Sequence, residues 1–151
     1  MKVPGKGFVE LDATQSIPLG STIDTRKGTI SLTAKSGQTA TFHDGIFRIT
    51  QTKTTTDLTL VEALAPCGKG ARTAAKKPKT RKLWGNGSGS FRTRGQYSAA
   101  TVRGTEWLVQ DSCSGTLTRV RKGVVAVRDN VKRKTIVLRA GKSYTARPKK
   151  R

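Results

Sequence analysis

The stretch Thr116–Gly141, which reads TLTRVRKGVVAVRDNVKRKTIVLRAG, decides the fold class of this chain. Apolar and polar side chains alternate along three short runs in it, which are Thr116–Arg121, Val124–Arg128 and Thr135–Arg139. A period of two places one set of side chains on each face of a β-strand. The glycines that end Arg121-Lys122-Gly123 and Arg139-Ala140-Gly141 can adopt the positive φ that a tight hairpin needs. The stretch therefore predicts antiparallel strands joined by tight turns.

The same pattern extends outward over most of the chain. Further alternating runs lie at Gly7–Leu11, Thr29–Ala34, Gln38–Phe42, Gly45–Thr50, Asp57–Glu62, Ser90–Arg94, Ser98–Arg103, Glu106–Gln110 and Ser143–Arg147. Glycine-containing turns separate them at Arg26–Gly28, Lys35–Gly37, His43–Gly45 and Cys113–Gly115. The 22 Thr and 11 Val residues favour strands over helices. We therefore expect one all-β domain over residues 1–151, built of many short antiparallel strands as a sandwich or a short β-helix-like fold.

The alternation also predicts a core. The inward-facing set is expected to comprise Val102, Trp107, Val109, Val125, Val127, Ile136 and Leu138. Gly104 is expected at a backbone position that tolerates a side chain poorly. No apolar run approaches the roughly 20 residues of a membrane-spanning helix, so a transmembrane segment is not expected.

Positive charge is concentrated in the second half of the chain. The 151 residues carry a formal net charge of +21. Residues 1–65 hold seven Lys or Arg and six Asp or Glu, whereas residues 66–151 hold 23 and three. Such asymmetry favours an anionic partner, which could be nucleic acid, an anionic cell-wall polymer or an anionic lipid surface. Solubility alone is the alternative explanation.

Two basic segments are the candidate contacts for that partner. A flexible basic insert is predicted at about residues 66–90, because Pro66–Lys82 has no large apolar side chain and Gly85–Gly89 is typical of a linker. Residues 147–151 form a basic tail. The predicted polyanion-binding residues are Lys69, Arg72, Lys76, Lys77, Lys79, Arg81, Lys82, Lys149, Lys150 and Arg151. Trp84, beside the insert, is the best candidate for an exposed aromatic side chain.

The sequence indicates no catalytic, metal or cofactor site. His43, the single histidine, lies in a predicted turn, and no nucleophile or orienting group can be assigned to it. The two cysteines and His43 lack the spacing of a zinc site. In sortases a Thr-Leu stretch precedes the catalytic cysteine, whereas here Thr116-Leu117 follows Cys113. We therefore expect no enzyme, and we expect the acids of the basic half, Glu106, Asp111 and Asp129, to compensate charge.

Several segments carry a family resemblance. ATVRGTEWLV at Ala100–Val109 is followed by VRKGVVAV at Val120–Val127 and IVLRAGK at Ile136–Lys142, while Ile17–Thr25 and His43–Arg48 supply earlier segments. Together they resemble the FecR-type domain, whose pattern is a V-R-G-T-x-F/W-x-V strand followed by a hairpin and two valine-rich strands. The resemblance implies no catalytic residues. In better-known members this domain is the periplasmic part of a sigma-factor regulator. The Lys- and Arg-rich strands, the two cysteines and the Leu-Trp-Gly segment are similar to those of secreted or surface proteins of high-GC Gram-positive (actinobacterial) bacteria.

The two cysteines are predicted to pair. An even number of cysteines in a secreted chain favours a Cys67–Cys113 disulfide, and two reduced buried cysteines are the alternative. Our leading functional hypothesis is a non-catalytic secreted or cell-surface β-module that binds or scaffolds and contacts an anionic polymer through its basic half. A protein partner is also compatible with it. The alternatives are a sensory ectodomain fragment of a sigma-factor-regulator-like protein and a non-specific nucleic-acid-binding protein.

Overall fold

The computed structural model describes residues 19–33, 38–52, 55–64, 67, 79–87 and 91–148, with the backbone alone at 103 and 104. All regular structure in these ranges is β, as the alternation predicts. The described residues contain no helix that is long and apolar enough to cross a membrane. The strands are β1 (Thr22–Asp24), β2 (Thr29–Thr33), β3 (Thr39–His43), β4 (Ile46–Gln51), β5 (Thr56–Leu60), β6 (Arg81–Gly87), β7 (Phe91–Arg94), β8 (Ser98–Ser112), β9 (Gly115–Asp129), β10 (Lys134–Arg139) and β11 (Ser143–Ala146).

The eleven strands form one curled sheet in the order β1-β4-β5-β7-β8-β6-β3-β2, and β9 pairs with β8 and carries β10 and β11. All these pairs are antiparallel except β5 with β7. The two long strands organise the sheet. The first half of β8 pairs with β7 and its second half pairs with β6, while β9 runs along its other side. Likewise β11 pairs with the first half of β9, and β10 with its second half.

A pair of compensating bulges lets the sheet fold over on itself. Arg103 pairs with Val124 and Glu106 with Lys122, which leaves an extra residue on β8, and the next pair leaves an extra residue on β9. The buried positions therefore change parity along β8, from Ala100 and Val102 to Trp107 and Val109. The predicted turn at Arg121–Gly123 is wrong for this reason. These residues lie in the bulge inside β9, and their glycine has a φ of 82°.

The two halves of the curled sheet face each other across an aromatic core. The Phe42 ring of β3 lies 5.9 Å from Phe47, 5.5 Å from Phe91 and 5.9 Å from Trp107, measured between ring centroids. The buried Trp107 Nε1–H of β8 donates to Thr93 Oγ1 of β7 at 3.0 Å, which ties the halves together. The expected core residues are buried, apart from Ile136, which is half-buried. The result is sandwich-like packing within one sheet.

The expected insert at about residues 66–90 contains a strand. Residues 81–87 form β6, which pairs with β3 on one side and β8 on the other. Gly85, expected to belong to a linker, packs against Trp107, because a Cβ built on it would lie 2.7 Å from the indole ring. The run at Gly7–Leu11, the insert residues 68–78 and the side-chain environment of Gly104 lie outside the described residues.

The predicted disulfide is confirmed. Cys67 and Cys113 are bonded with their Cα atoms 5.6 Å apart, across a separation of 46 residues. Cys113 lies in the turn that joins β8 to β9, and both cysteines are exposed. The bond therefore joins residue 67, which follows β5, to the end of the central hairpin.

Candidate polyanion interface

One outer face of the sheet is rich in arginine. On β4, β7 and β9, side chains that point into the core alternate with arginines that point outward. Thus Arg48 lies between the buried Phe47 and Ile49, and Arg94 follows the buried Thr93. We call this surface the arginine face; its described arginines are Arg48, Arg92, Arg94, Arg128 and Arg139.

Strand register aligns three of these arginines in a row. Neighbouring residues across the sheet are Thr22, Arg48, Thr59, Arg94, Ala99, Arg128 and Thr135, in that order. Arg48, Arg94 and Arg128 therefore stand on every second strand. Because adjacent strands lie about 4.8 Å apart, successive arginines of the row are spaced by about 10 Å. The positions between them carry small side chains, and Ala99 lies buried beneath the arginines with 5% of its surface exposed.

Two carboxylates lie on the described part of this face, which are Asp24 of β1, held by Arg26 at 2.7 Å, and Asp57 of β5. Asp57 on β5 is 5% exposed, and its two oxygens accept hydrogen bonds from Arg92 Nε at 2.6 Å and Arg92 Nη2 at 2.9 Å. This hydrogen bonding raises the pKa of Arg92. Arg94 Nε lies 3.5 Å from the same carboxylate. Arg48 and Arg128 have no carboxylate within 4 Å among the described residues, and Arg128 donates only to Thr135. The face therefore keeps a positive excess.

Further exposed cations surround the C-terminal strands. Between residues 115 and 147 they are Arg119, Arg121, Lys122, Arg128, Lys132, Arg133, Lys134, Arg139, Lys142 and Arg147. The one carboxylate of this segment, Asp129, is buried and accepts from the Tyr144 hydroxyl at 2.6 Å and from backbone N–H groups. Burial opposes ionisation of Asp129, but the N–H of Lys132, the Tyr144 hydroxyl and the N–H of Val131 hold its pKa below its usual value. Asp129 thus stabilises a turn, and among these exposed cations only Arg121 has a carboxylate within 4 Å in the described ranges, that of Glu106.

The other half of the sheet carries a tryptophan on its outer face. The Trp84 ring of β6 is parallel to His43 within 11°, with 6.5 Å between ring centroids. The Arg121 guanidinium lies 4.5 Å from the Trp84 ring centroid and is held by Glu106 at 2.9 Å. Trp84, expected to be exposed, is therefore half-buried beneath a cation, in a contact worth roughly 0.5–1 kcal/mol.

The residues predicted to contact a polyanion lie in different environments. Arg81 is in a structural network, because its Nε donates to the fully buried Asp111 at 2.8 Å and its Nη1 to the Glu62 carbonyl at 2.9 Å. Its role in polyanion binding stays a prediction. Lys79 and Lys82 are exposed. The remaining residues lie outside the described part of the chain; they are Lys69, Arg72, Lys76, Lys77, Lys149, Lys150 and Arg151.

The arginine face was missed from the sequence. The alternation in Phe91-Arg92-Thr93-Arg94 is a local signal that could have placed both arginines opposite the core. Their alignment with Arg48 and Arg128 depends on the pairing of β4, β5, β7, β8 and β9, which is non-local. Alternation reveals which face an arginine occupies, and register decides which arginines meet.

Comparisons with known proteins identify no family. No family model and no curated protein match this chain. One solved structure that matches is a protein described as a candidate anti-sigma factor from Parabacteroides distasonis, with a TM-score of 0.49 and 12% identity. The match covers 82% of this chain and 53% of that protein, so this chain spans about half of its length. A likeness at this level carries no inference about function.

Proposed function

We propose that this protein is a non-catalytic β-module that binds an anionic polymer, with the arginine face as its contact surface. The observation that supports the proposal most directly is that the described carboxylates are already paired with other side chains. Each one in the described part of the chain already contacts a side chain of this protein, and Asp24 and Glu62 share Arg26; the pairs are Asp24–Arg26, Asp44–His43, Asp57–Arg92, Glu62–Arg26, Glu106–Arg121, Asp111–Arg81 and Asp129–Tyr144.

The exposed cations left over have no intramolecular counterion in the described ranges, so their counterions come from solution or from a ligand. A polymer that binds them releases those small ions, and this entropy gain drives association. The net charge of +21 also draws an anion toward the surface from a distance. The competing explanation, solubility alone, requires no aligned charges and predicts no binding.

We propose an extracellular location for this activity. The Cys67–Cys113 disulfide supports an oxidising compartment, where such bonds persist. The FecR-type resemblance of the sequence points the same way and adds no catalytic residue. The sensory ectodomain alternative, which rests on that resemblance, stays a prediction.

Equilibrium binding across a salt series tests the proposal. The full chain would be titrated against fluorescently labelled poly(glycerol phosphate), single-stranded DNA and phosphatidylglycerol vesicles, with neutral dextran as the control. We expect binding to at least one anion, with log K falling by about 0.7 per phosphate engaged as log[salt] rises, and no binding to dextran. No binding to any anion at about 50 mM salt, where such contacts are strong, would leave solubility as the role of the charge.

A further inference from the structure

We propose that the row formed by Arg48, Arg94 and Arg128 is the binding site of a single, flexible phosphodiester chain without bases, of the glycerol-phosphate type, which lies across the strands. The inference rests on the proposed function and deepens it, because it names the site and the class of ligand. It follows from the register, the side chains between the arginines and the chemistry of the guanidinium group.

The arrangement of the three arginines suits a linear ligand. The backbone positions of these three arginines span four strand spacings, or about 19 Å, from β4 to β9. Between them the register places Thr59 and Ala99, whose short side chains put no bulky group between successive arginines of the row. The arginine side chains are long enough to adjust to the twist of the sheet. A compact anion would meet one of these groups, whereas a polymer meets all three.

The chemistry favours phosphate. A guanidinium presents a planar fork of donors that matches two oxygens of a phosphate group, and the row consists of arginines without lysine. Arg94 is 41% exposed at its side chain and only loosely tied to Asp57 at 3.5 Å, while the closer Arg92 satisfies that carboxylate. Arg92 thus compensates Asp57 and leaves its neighbour Arg94 for a ligand.

The surroundings favour a ligand without bases. Proteins that hold single-stranded nucleic acid combine basic grooves with aromatic side chains on which bases stack. The row itself contains no aromatic residue, since the register aligns Thr22, Arg48, Thr59, Arg94, Ala99, Arg128 and Thr135. Trp84 lies on the other half of the sheet beneath Arg121. A polymer recognised through its phosphates alone is therefore the better match for the row.

Two variants of equal charge test the inference. R48Q/R94Q/R128Q removes the row, and the control R119Q/K142Q/R147Q removes three exposed cations outside the arginine face. Both would be titrated with poly(glycerol phosphate) of defined length over a salt series, after thermal melts establish that each folds like the parent. We expect the row variant to lose about 2 units of salt slope, at roughly 0.7 per phosphate contact, and the control to keep the parental slope.

The outcomes separate this inference from the proposed function. Equal losses in the two variants would overturn the row as the site while leaving polyanion binding intact. Failure of the unmodified protein to bind any anion would overturn the proposed function itself. Single-stranded DNA bound as tightly as poly(glycerol phosphate) with the same number of phosphates, or binding confined to phosphatidylglycerol vesicles, would overturn the ligand class.

Discussion

Replacing Gly85 with alanine tests whether β6 is a core strand. Gly85 lies at the centre of β6, directly over the indole of Trp107. An added Cβ would lie 2.7 Å from both Trp107 Cη2 and Trp107 Cζ2, and 3.0 Å from Phe42 Cε1. Trp107 is fully buried and its Nε1–H is held by Thr93, so the ring cannot move aside without losing contacts. The substitution therefore strains the aromatic core.

The expected change in stability combines two opposing effects. Adding a methyl group to a packed core destabilises by about 1–3 kcal/mol. Replacing glycine with alanine also restricts the unfolded chain, which stabilises by about 0.4–1 kcal/mol. We therefore expect Gly85→Ala to lower the free energy of unfolding by about 1–2 kcal/mol. For a domain of this size, that corresponds to a fall in Tm of roughly 2–8 °C.

Gly28→Ala is the matched control. Gly28 lies in the exposed turn between β1 and β2, and a Cβ built there meets nothing within 4 Å. Its free energy of unfolding should stay within about 0.5 kcal/mol of the parent. Urea denaturation followed by tryptophan fluorescence would measure all three proteins. Equal stability of Gly85→Ala and Gly28→Ala would refute the packing of β6 against Trp107.

Three further predictions follow from contacts within the fold. Because the disulfide joins residues 46 apart, C67S/C113S should lower the free energy of unfolding by about 4 kcal/mol, and an unchanged urea midpoint would contradict this. Asp111→Ala should lower the free energy of unfolding by about 3 kcal/mol or more, because it leaves the Arg81 guanidinium without its carboxylate. Glu106→Ala breaks a more exposed pair and should change the free energy of unfolding by less than about 1 kcal/mol. Similar denaturation midpoints for the two variants would contradict this difference. The hydrogen bond to Asp129 raises the pKa of Tyr144 from 10.0 to about 12, so the stability it contributes is complete below pH 10 and is lost as pH rises through about 12. Phenolate absorbance should therefore show a titration near 12 that moves toward 10 in Asp129→Asn, and a late titration that survives this substitution would contradict the assignment.

The sequence predicts the strands that have clean alternation. The runs at Gln38–Phe42, Gly45–Thr50 and Thr135–Arg139 coincide with β3, β4 and β10 within one residue or so at each end. Their inward side chains form the core, as the period of two requires. These features are local, because a half-buried strand must show them wherever it lies in a sheet.

The features that could not be predicted depend on partners distant in sequence. The β6 sequence RKLWGNG has the composition of a linker, and it becomes a strand because β3 and β8 supply pairing on both sides and Trp107 fills the space above Gly85. The runs at Ser98–Arg103 and Glu106–Gln110 read as two strands because a bulge reverses the parity between them. The arginine row was missed for the same reason, since register between non-consecutive strands creates it.

Arginine-selective footprinting tests the central claim most directly. The protein would be treated with phenylglyoxal in the presence and absence of poly(glycerol phosphate), and the extent of modification at each arginine would be read by mass spectrometry. We predict that the polymer protects Arg48, Arg94 and Arg128 and leaves Arg119 and Arg147 as reactive as in the free protein. Equal protection at all five arginines, or protection confined to Arg119 and Arg147, would contradict the assignment of the arginine face as the binding surface.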